Sequence, residues 1–264
     1  MNNSMRWSVR VLVLGVAGLV SVALAQDTLT VQNTAASAPM GGVYTSPYGI
    51  SVNGTPTLLI CDDFETDIYV GYSWQATPNT LTQISATTVS PLKFDSSPGS
   101  SAVLGGPSNV AEDYATAAVL SAELMTLPNF GTPSEDTETA GELSYAIWSV
   151  FDSSLYSSLT STGSTGFGSL TTTEVDAVEN DIKSAQILVA GATTAGTTNL
   201  DDISINGESI TSLTVYTPIP VGASQEFLTV TLAEPPSPAL LGTDLLALAG
   251  LILIARRRWA SSAV

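Results

Sequence analysis

The chain has 264 residues, with 24 acidic side chains against seven basic ones, no histidine and one cysteine, for a formal net charge of −17. The absence of histidine removes His-based triads, His general bases and His-containing zinc sites, and the single Cys61 excludes an intramolecular disulfide. So acidic a surface repels phosphate backbones, which excludes nucleic-acid binding through a basic patch; it suits solubility outside the cell and attracts divalent cations or cationic polymers.

Arg6 and Arg10 precede the apolar stretch Val11 to Val22, and Ala23-Leu24-Ala25 followed by Gln26 has the small-residue pattern of a signal-peptidase site at Ala23 and Ala25. Residues 1–25 therefore read as a signal peptide, and residues 26–233 as one exported domain. From Thr28 to about Val89 the pattern is strand-like. Thr57-Leu58-Leu59-Ile60-Cys61 is a continuous apolar run expected of a buried central strand. Ile68, Val70, Tyr72 and Trp74 alternate as the buried face of another. Between them lies an acidic corner of Asp62, Asp63, Glu65 and Asp67. Clustered carboxylates could ligate Ca²⁺, although the spacing is not that of an EF-hand loop; the other reading is solvated turn carboxylates. Asn199, Asp201, Asp202, Asn206 and Glu208 form a looser group with the same two readings.

After a Pro/Gly/Ser loop from Ser90 to Ser108 the period changes. Val110 to Leu127 is rich in Ala, Glu, Leu and Met and predicts a helix. Leu143, Ala146, Ile147, Val150 and Phe151 follow helical spacing and make Thr139 to Phe151 the cleanest amphipathic helix. Asp152 to Thr172, rich in Ser, Thr and Gly, predicts a flexible loop. Val175, Val178, Ile182, Ala185 and Val189 mark a third helix, with Thr172 or Thr173 as N-cap. Strands return at the end: Ile203-Ser204-Ile205 and the segment from Glu208 form a hairpin around Asn206-Gly207, and Gln225 to Leu232 alternates with Leu228, Val230 and Leu232 on one face. The order strands, helices, strands predicts an α+β fold: an antiparallel sheet or sandwich with about three packed helices.

The chain ends in Glu234-Pro235-Pro236-Ser237-Pro238, an apolar run over 239–255 broken by Thr243 and Asp244, and then Arg256-Arg257-Arg258. A Pro-rich break, a near-spanning apolar helix and a basic stop predict a transmembrane helix and membrane attachment. This tail resembles the PEP-CTERM sorting signal of Gram-negative envelope proteins, with Glu234, Pro235, Arg256, Arg257 and Arg258 in the motif positions. Ala233 stands where that motif has its first proline, and Asp244 places a charge costing about 2.5–3.5 kcal/mol inside the apolar run. The resemblance implies handling by an exosortase-type processing enzyme and residence at the cell envelope or in the extracellular matrix, while the Ala23 and Ala25 site makes signal peptidase the expected partner at the other end.

Ile60-Cys61-Asp62-Asp63 at a strand end, followed by Ala146-Ile147-Trp148 on a helix, resembles the bacterial surface thioester domain over about Thr57 to Asp152. In that family a Cys is bonded to the side-chain acyl carbon of a Gln in a Thr-Gln-x-Ala-Ile-Trp motif, and the bond can acylate amines. Here Ser144 occupies the Gln position and Leu143 the Thr position, and serine has no acyl carbon. The resemblance therefore implies the scaffold, with Cys61 and Ser144 as degenerate thioester positions. The function expected is that of a non-catalytic, exopolysaccharide-associated surface protein without a cofactor, Ca²⁺ being the one ion to consider. The alternative is a carboxylate-dependent surface glycan hydrolase built on Asp62 or Asp63 with the aromatic residues Tyr69, Tyr72 and Trp74.

Overall fold

The computed structural model describes residues 26–33, 39–86, 91–95, 109–132, 135–160 and 170–233. The signal-peptide segment, with Ala23 and Ala25, and the whole sorting tail, from Glu234 through Arg256, Arg257 and Arg258, lie outside the described residues. Among those described, no helix is long and apolar enough to cross a membrane.

The first half of the described chain supplies β1 (Asp27–Asn33), β2 (Pro39–Met40), β3 (Val43–Tyr44), β4 (Tyr48–Val52), β5 (Thr55–Cys61) and β6 (Ser73–Thr80). A helical middle follows: α1 (Leu81–Ser85), α2 (Val110–Met125), α3 (Thr137–Phe151), α4 (Ser153–Thr160) and α5 (Thr172–Ala192). The last part adds β7 (Thr193–Thr194), β8 (Thr197–Thr198), a 3₁₀ turn at Leu200–Asp202, β9 (Ser204–Ile205), β10 (Glu208–Ile219) and β11 (Phe227–Leu232). The fold is α+β, with five α-helices among the described residues where the sequence predicts about three.

The main sheet is antiparallel and runs β11-β5-β4-β1-β6-β10-β9, with β11 also paired to β10. The sheet is antiparallel, as the sequence predicts, and that second pairing closes strands β11, β5, β4, β1, β6 and β10 into a barrel, a closure the predicted sheet or sandwich does not specify. Closure leaves these strands no free edge. Alternation along each strand then divides the core in two. Leu29, Val31, Tyr48, Ile50, Leu59, Cys61, Trp74, Ala76 and Phe227 fill the barrel. Ile60, Leu213, Val215, Leu228 and Val230 point outward and pack under the helices.

α2 lies at the centre of the helical layer, where it touches α3, α5, β10 and β11. Its small residues Ala111, Ala115, Ala117, Ala118 and Ala122 are buried and allow close approach on several sides. α3 buries Leu143, Ala146, Ile147, Val150 and Phe151, as its spacing predicts. α5 starts one residue earlier than expected: Thr171, not Thr172 or Thr173, is the N-cap, in a capping box with Glu174.

Two further expectations are corrected. Residues 69–72 form a turn, closed by Tyr72 N–H to the Tyr69 carbonyl at 3.0 Å with Gly71 at φ 88°, and Val70 is exposed, so the Ile68–Trp74 alternation does not mark one buried strand face. Part of the predicted loop after Asp152 is helix α4, because Asp152 Oδ1 accepts from the backbone N–H of Ser154 (2.8 Å) and Leu155 (3.0 Å) and Leu155 is buried. The Asn206-Gly207 hairpin forms as expected, both residues at positive φ, with Glu208 opposite Ile205.

Candidate functional site

Strands β5 and β11 meet in a short ladder in which Phe227 pairs with Cys61 and Leu228 with Ile60. Beyond it the chain continues as Cys61-Asp62-Asp63 on one side and Gln225-Glu226-Phe227 on the other. The same antiparallel register sets Glu226 against Asp62 and Gln225 against Asp63. Cys61 and Phe227 face the barrel interior, while Glu226 reaches Tyr114 on α2 and Thr217 on β10.

Cys61 is fully buried and held at three atoms. Its N–H donates to Ser46 Oγ at 3.0 Å, its carbonyl accepts from Trp148 Nε1 at 2.9 Å, and its Sγ donates to the carbonyl of Asp63 at 3.1 Å. Burial, reinforced by Asp63, pushes the thiol pKa up, so the sulfur is a neutral thiol. Gln225 donates from Nε2 to that same Asp63 carbonyl at 3.3 Å. Its other amide atom, Oε1, is buried and has no hydrogen-bond partner among the described residues. The thiol of Cys61 and the carboxamide of Gln225 therefore converge on one oxygen.

Ser144 stands close behind. Its Oγ donates to Ala140 O at 2.8 Å and accepts from Ser46 N–H at 3.0 Å, and Ser46 in turn caps the Cys61 N–H. The two positions singled out by the thioester-domain resemblance thus belong to one buried network, in which Ser144 supports the Cys61 backbone. A carboxamide comes instead from Gln225, which sequence reasoning missed. Its position two residues before a strand gave no signal, since only the closure of the barrel brings it to Cys61.

Asp62 and Asp63 are both fully buried, not solvated turn residues. Asp63 is ion-paired to Lys93 Nζ and accepts from Glu65 N–H at 3.0 Å. The Lys93 ammonium also donates to Thr66 Oγ1 at 2.6 Å. Neither oxygen of Asp62 meets an N–H or O–H donor among the described residues; its neighbour is Glu226. Two carboxylates cannot both ionise at such a contact, so one proton is shared. Burial, followed by the Glu226 charge, raises the Asp62 pKa. Glu226 is raised by burial too, but accepts from Thr217 Oγ1 (2.5 Å), Tyr114 OH (2.5 Å) and Lys93 N–H (3.3 Å). Those donors favour the ionised form at Glu226, so Asp62 carries the proton and donates it across the pair.

Glu65 and Asp67 are exposed, so the acidic corner is split between core and surface. Among the described residues no group of three or more His, Cys, Asp or Glu side chains is disposed to hold a metal ion. In the looser acidic-amide group, Asn199 donates to Asp202 at 2.9 Å while Asn206 turns away to Thr126. Nor do Asp62 and Asp63 flank a common cleft as a glycosidase pair would: Asp62 is sealed against Glu226, and Lys93 occupies the Asp63 carboxylate.

A cleft of about 450 Å³ opens at this end of the barrel, lined by Tyr44, Phe64, Asp67, Tyr69, Val70 and Trp148, with Asp63 and Gln225 on its wall. Tyr44 and Tyr69 are exposed, by 56% and 69%. Tyr69 contacts Tyr72 with ring centroids 5.2 Å apart, and Phe64 contacts Trp148 at the same separation. Gln225 thus borders the cleft, while Cys61 is fully buried and does not line it.

No protein-family model matches the sequence, and no curated protein matches it. Among solved structures, the N-terminal domain of the Streptococcus pyogenes pilus tip adhesin Cpa is similar over 79% of this chain and 94% of that one, at 9% identity and a TM-score of 0.40. So distant a likeness carries no weight for the function of this chain.

Proposed function

We propose that this is an exported surface protein that attaches itself covalently to amine-bearing molecules through an internal thioester between Cys61 and Gln225. The observation that supports the reading is the convergence of the Cys61 thiol and the Gln225 carboxamide on the Asp63 carbonyl, in a buried place that opens to a cleft on the Gln225 side. In the first step the sulfur attacks the Gln225 acyl carbon, forming the S–C bond, breaking the C–N bond and releasing ammonia; the thiol proton leaves on the ammonia. In the second, a primary amine entering by the cleft attacks the same carbon. An amide forms, the S–C bond breaks, and Cys61 recovers a proton as thiol.

The Asp63 carbonyl, at hydrogen-bond distance from the thiol and the amide, orients both groups. The bond is used once per molecule, so the protein is an adhesive reagent and not an enzyme with turnover. Acceptor amines are protonated in water, and a body of this negative charge with Asp67 at the cleft attracts them. Signal peptidase cleavage after Ala25, exosortase-type handling of the Glu234-Pro235 tail and placement at a Gram-negative envelope near exopolysaccharide complete the proposal, on the strength of the sequence patterns.

The test is the intact mass of the full chain beside its Cys61→Ala and Gln225→Ala variants. Wild type is expected to be lighter than its sequence by one ammonia, with a Cys61–Gln225 cross-linked peptide, and to return as a methylamine adduct when treated with that amine. A wild type at full sequence mass with an unmodified Gln225 would sink the reading.

A further inference from the structure

The β5–β11 ladder stops at the Cys61–Phe227 pair, so no strand hydrogen bonds hold Gln225 opposite Asp63. At that point two side chains take over. Asp62 follows Cys61 directly, Glu226 follows Gln225 directly, and the two carboxyl groups meet on the helix side of the barrel. Glu226 is itself fixed from three directions: α2 through Tyr114 OH, β10 through Thr217 Oγ1, and the 91–95 segment through Lys93 N–H. One step past the Cys61–Phe227 pair the register sets Asp62 opposite Glu226; both are fully buried, and neither Asp62 oxygen has a hydrogen-bond donor among the described residues. A buried carboxyl group without a hydrogen-bond donor is costly, and nothing in the thioester chemistry uses this one as acid or base, since Asp62 is not among the residues that line the cleft.

We propose that the Asp62–Glu226 bridge is a positioning device that holds the Cys61 sulfur and the Gln225 acyl carbon within bonding distance where the strand ladder has ended. The role presupposes a Cys61–Gln225 bond. Alternation makes the geometry efficient: because neighbouring residues point to opposite faces, a bridge between Asp62 and Glu226 on one face fixes the backbone beneath Cys61 and Gln225 on the other. Intramolecular bond formation is steep in distance, a misplacement of about 1 Å being able to cost about 100-fold.

The experiment measures the fraction of full-length molecules carrying the Cys61–Gln225 cross-link in wild type, D62A, D62N and Y114F, with urea unfolding run on each. D62A removes the bridge and is expected to lower the fraction about tenfold or more. D62N keeps a donor to Glu226 and is expected to restore most of it, which a change in general stability would not explain. Y114F keeps the core volume while deleting one anchor of Glu226 and is expected to fall between the two, so the proposal stays testable if D62A fails to fold. A wild type that forms the bond while D62A or Y114F matches it, or while D62N is as defective as D62A, overturns the positioning role and leaves the thioester standing. A wild type without the bond overturns both.

Discussion

Substituting Asp62 with asparagine tests where the shared proton sits. Asp62 is buried against Glu226, and its pKa in the folded protein lies well above that of an aspartate in water, first because of burial and then because of the Glu226 charge. A carboxyl group with a raised folded pKa binds a proton in the native state that the unfolded chain has already released. Its stabilising effect is complete below the unfolded pKa of about 3.9 and is lost as pH rises toward the folded value. Each proton so held costs about 1.4 kcal/mol of stability per pH unit within that window. The carboxamide of D62N does not titrate, so between the unfolded aspartate's pKa of about 3.9 and the raised folded value the stability curve of that variant should be shallower than that of wild type, by up to about 1.4 kcal/mol per unit. Asp181, raised to about 6 by burial, and Glu123, raised to about 7 by burial and then by Asp181, slope the same way in both proteins. Both are half-buried and screened by solvent, so they contribute less, and they cancel in the comparison. The assay is urea unfolding followed by tryptophan fluorescence across that range. Parallel curves for the two proteins would refute Asp62 as the proton carrier.

Other parts of the structure make separate claims. Trp148→Phe removes the Nε1 hydrogen bond to the Cys61 carbonyl at 2.9 Å and leaves that buried oxygen short of a donor; urea titration should register a loss of about 1–3 kcal/mol. Gly141→Ala on α3 would drive a Cβ into Met40 Sδ and place it 3.0 Å from Met40 Cβ. The crowding should cost about 1–3 kcal/mol by the same titration, and a neutral result would mean that the β2 segment yields freely. Thr171→Ala deletes the α5 capping box and should lower stability by about 1 kcal/mol, with the loss visible as earlier thermal unfolding of helical circular dichroism.

What the sequence disclosed depended on how local each signal was. The α3 periodicity and the Asn206-Gly207 turn each live within a dozen residues, and both elements form where that pattern places them. The 68–74 segment shows the limit of the same logic: Ile68, Val70 and Tyr72 alternate, but Gly71 at positive φ turns the chain and leaves Val70 at the cleft. Asp62 and Asp63 looked like surface residues because aspartates usually are; the groups that make their burial tolerable, Glu226 and Lys93, are far away in sequence. Barrel closure was invisible for the same reason, since it depends on β11 pairing with both β5 and β10. Cys61 and Ser144 could be singled out from their neighbours in sequence. Gln225 could be found only once the strands were in place.

The doubly paired last strand also sets a clock. Gln225 and the Asp63 carbonyl that gathers both reacting groups are 162 positions apart in the chain, and such non-local contacts form late, after the entropy of closing the intervening loop has been met. Until β11 docks between β5 and β10, the thiol and the amide are strangers, and each is chemically ordinary. The reactive bond would thus arise only in molecules whose barrel is complete, so its presence would certify a finished fold, and an incompletely folded chain would have nothing with which to acylate the wrong partner.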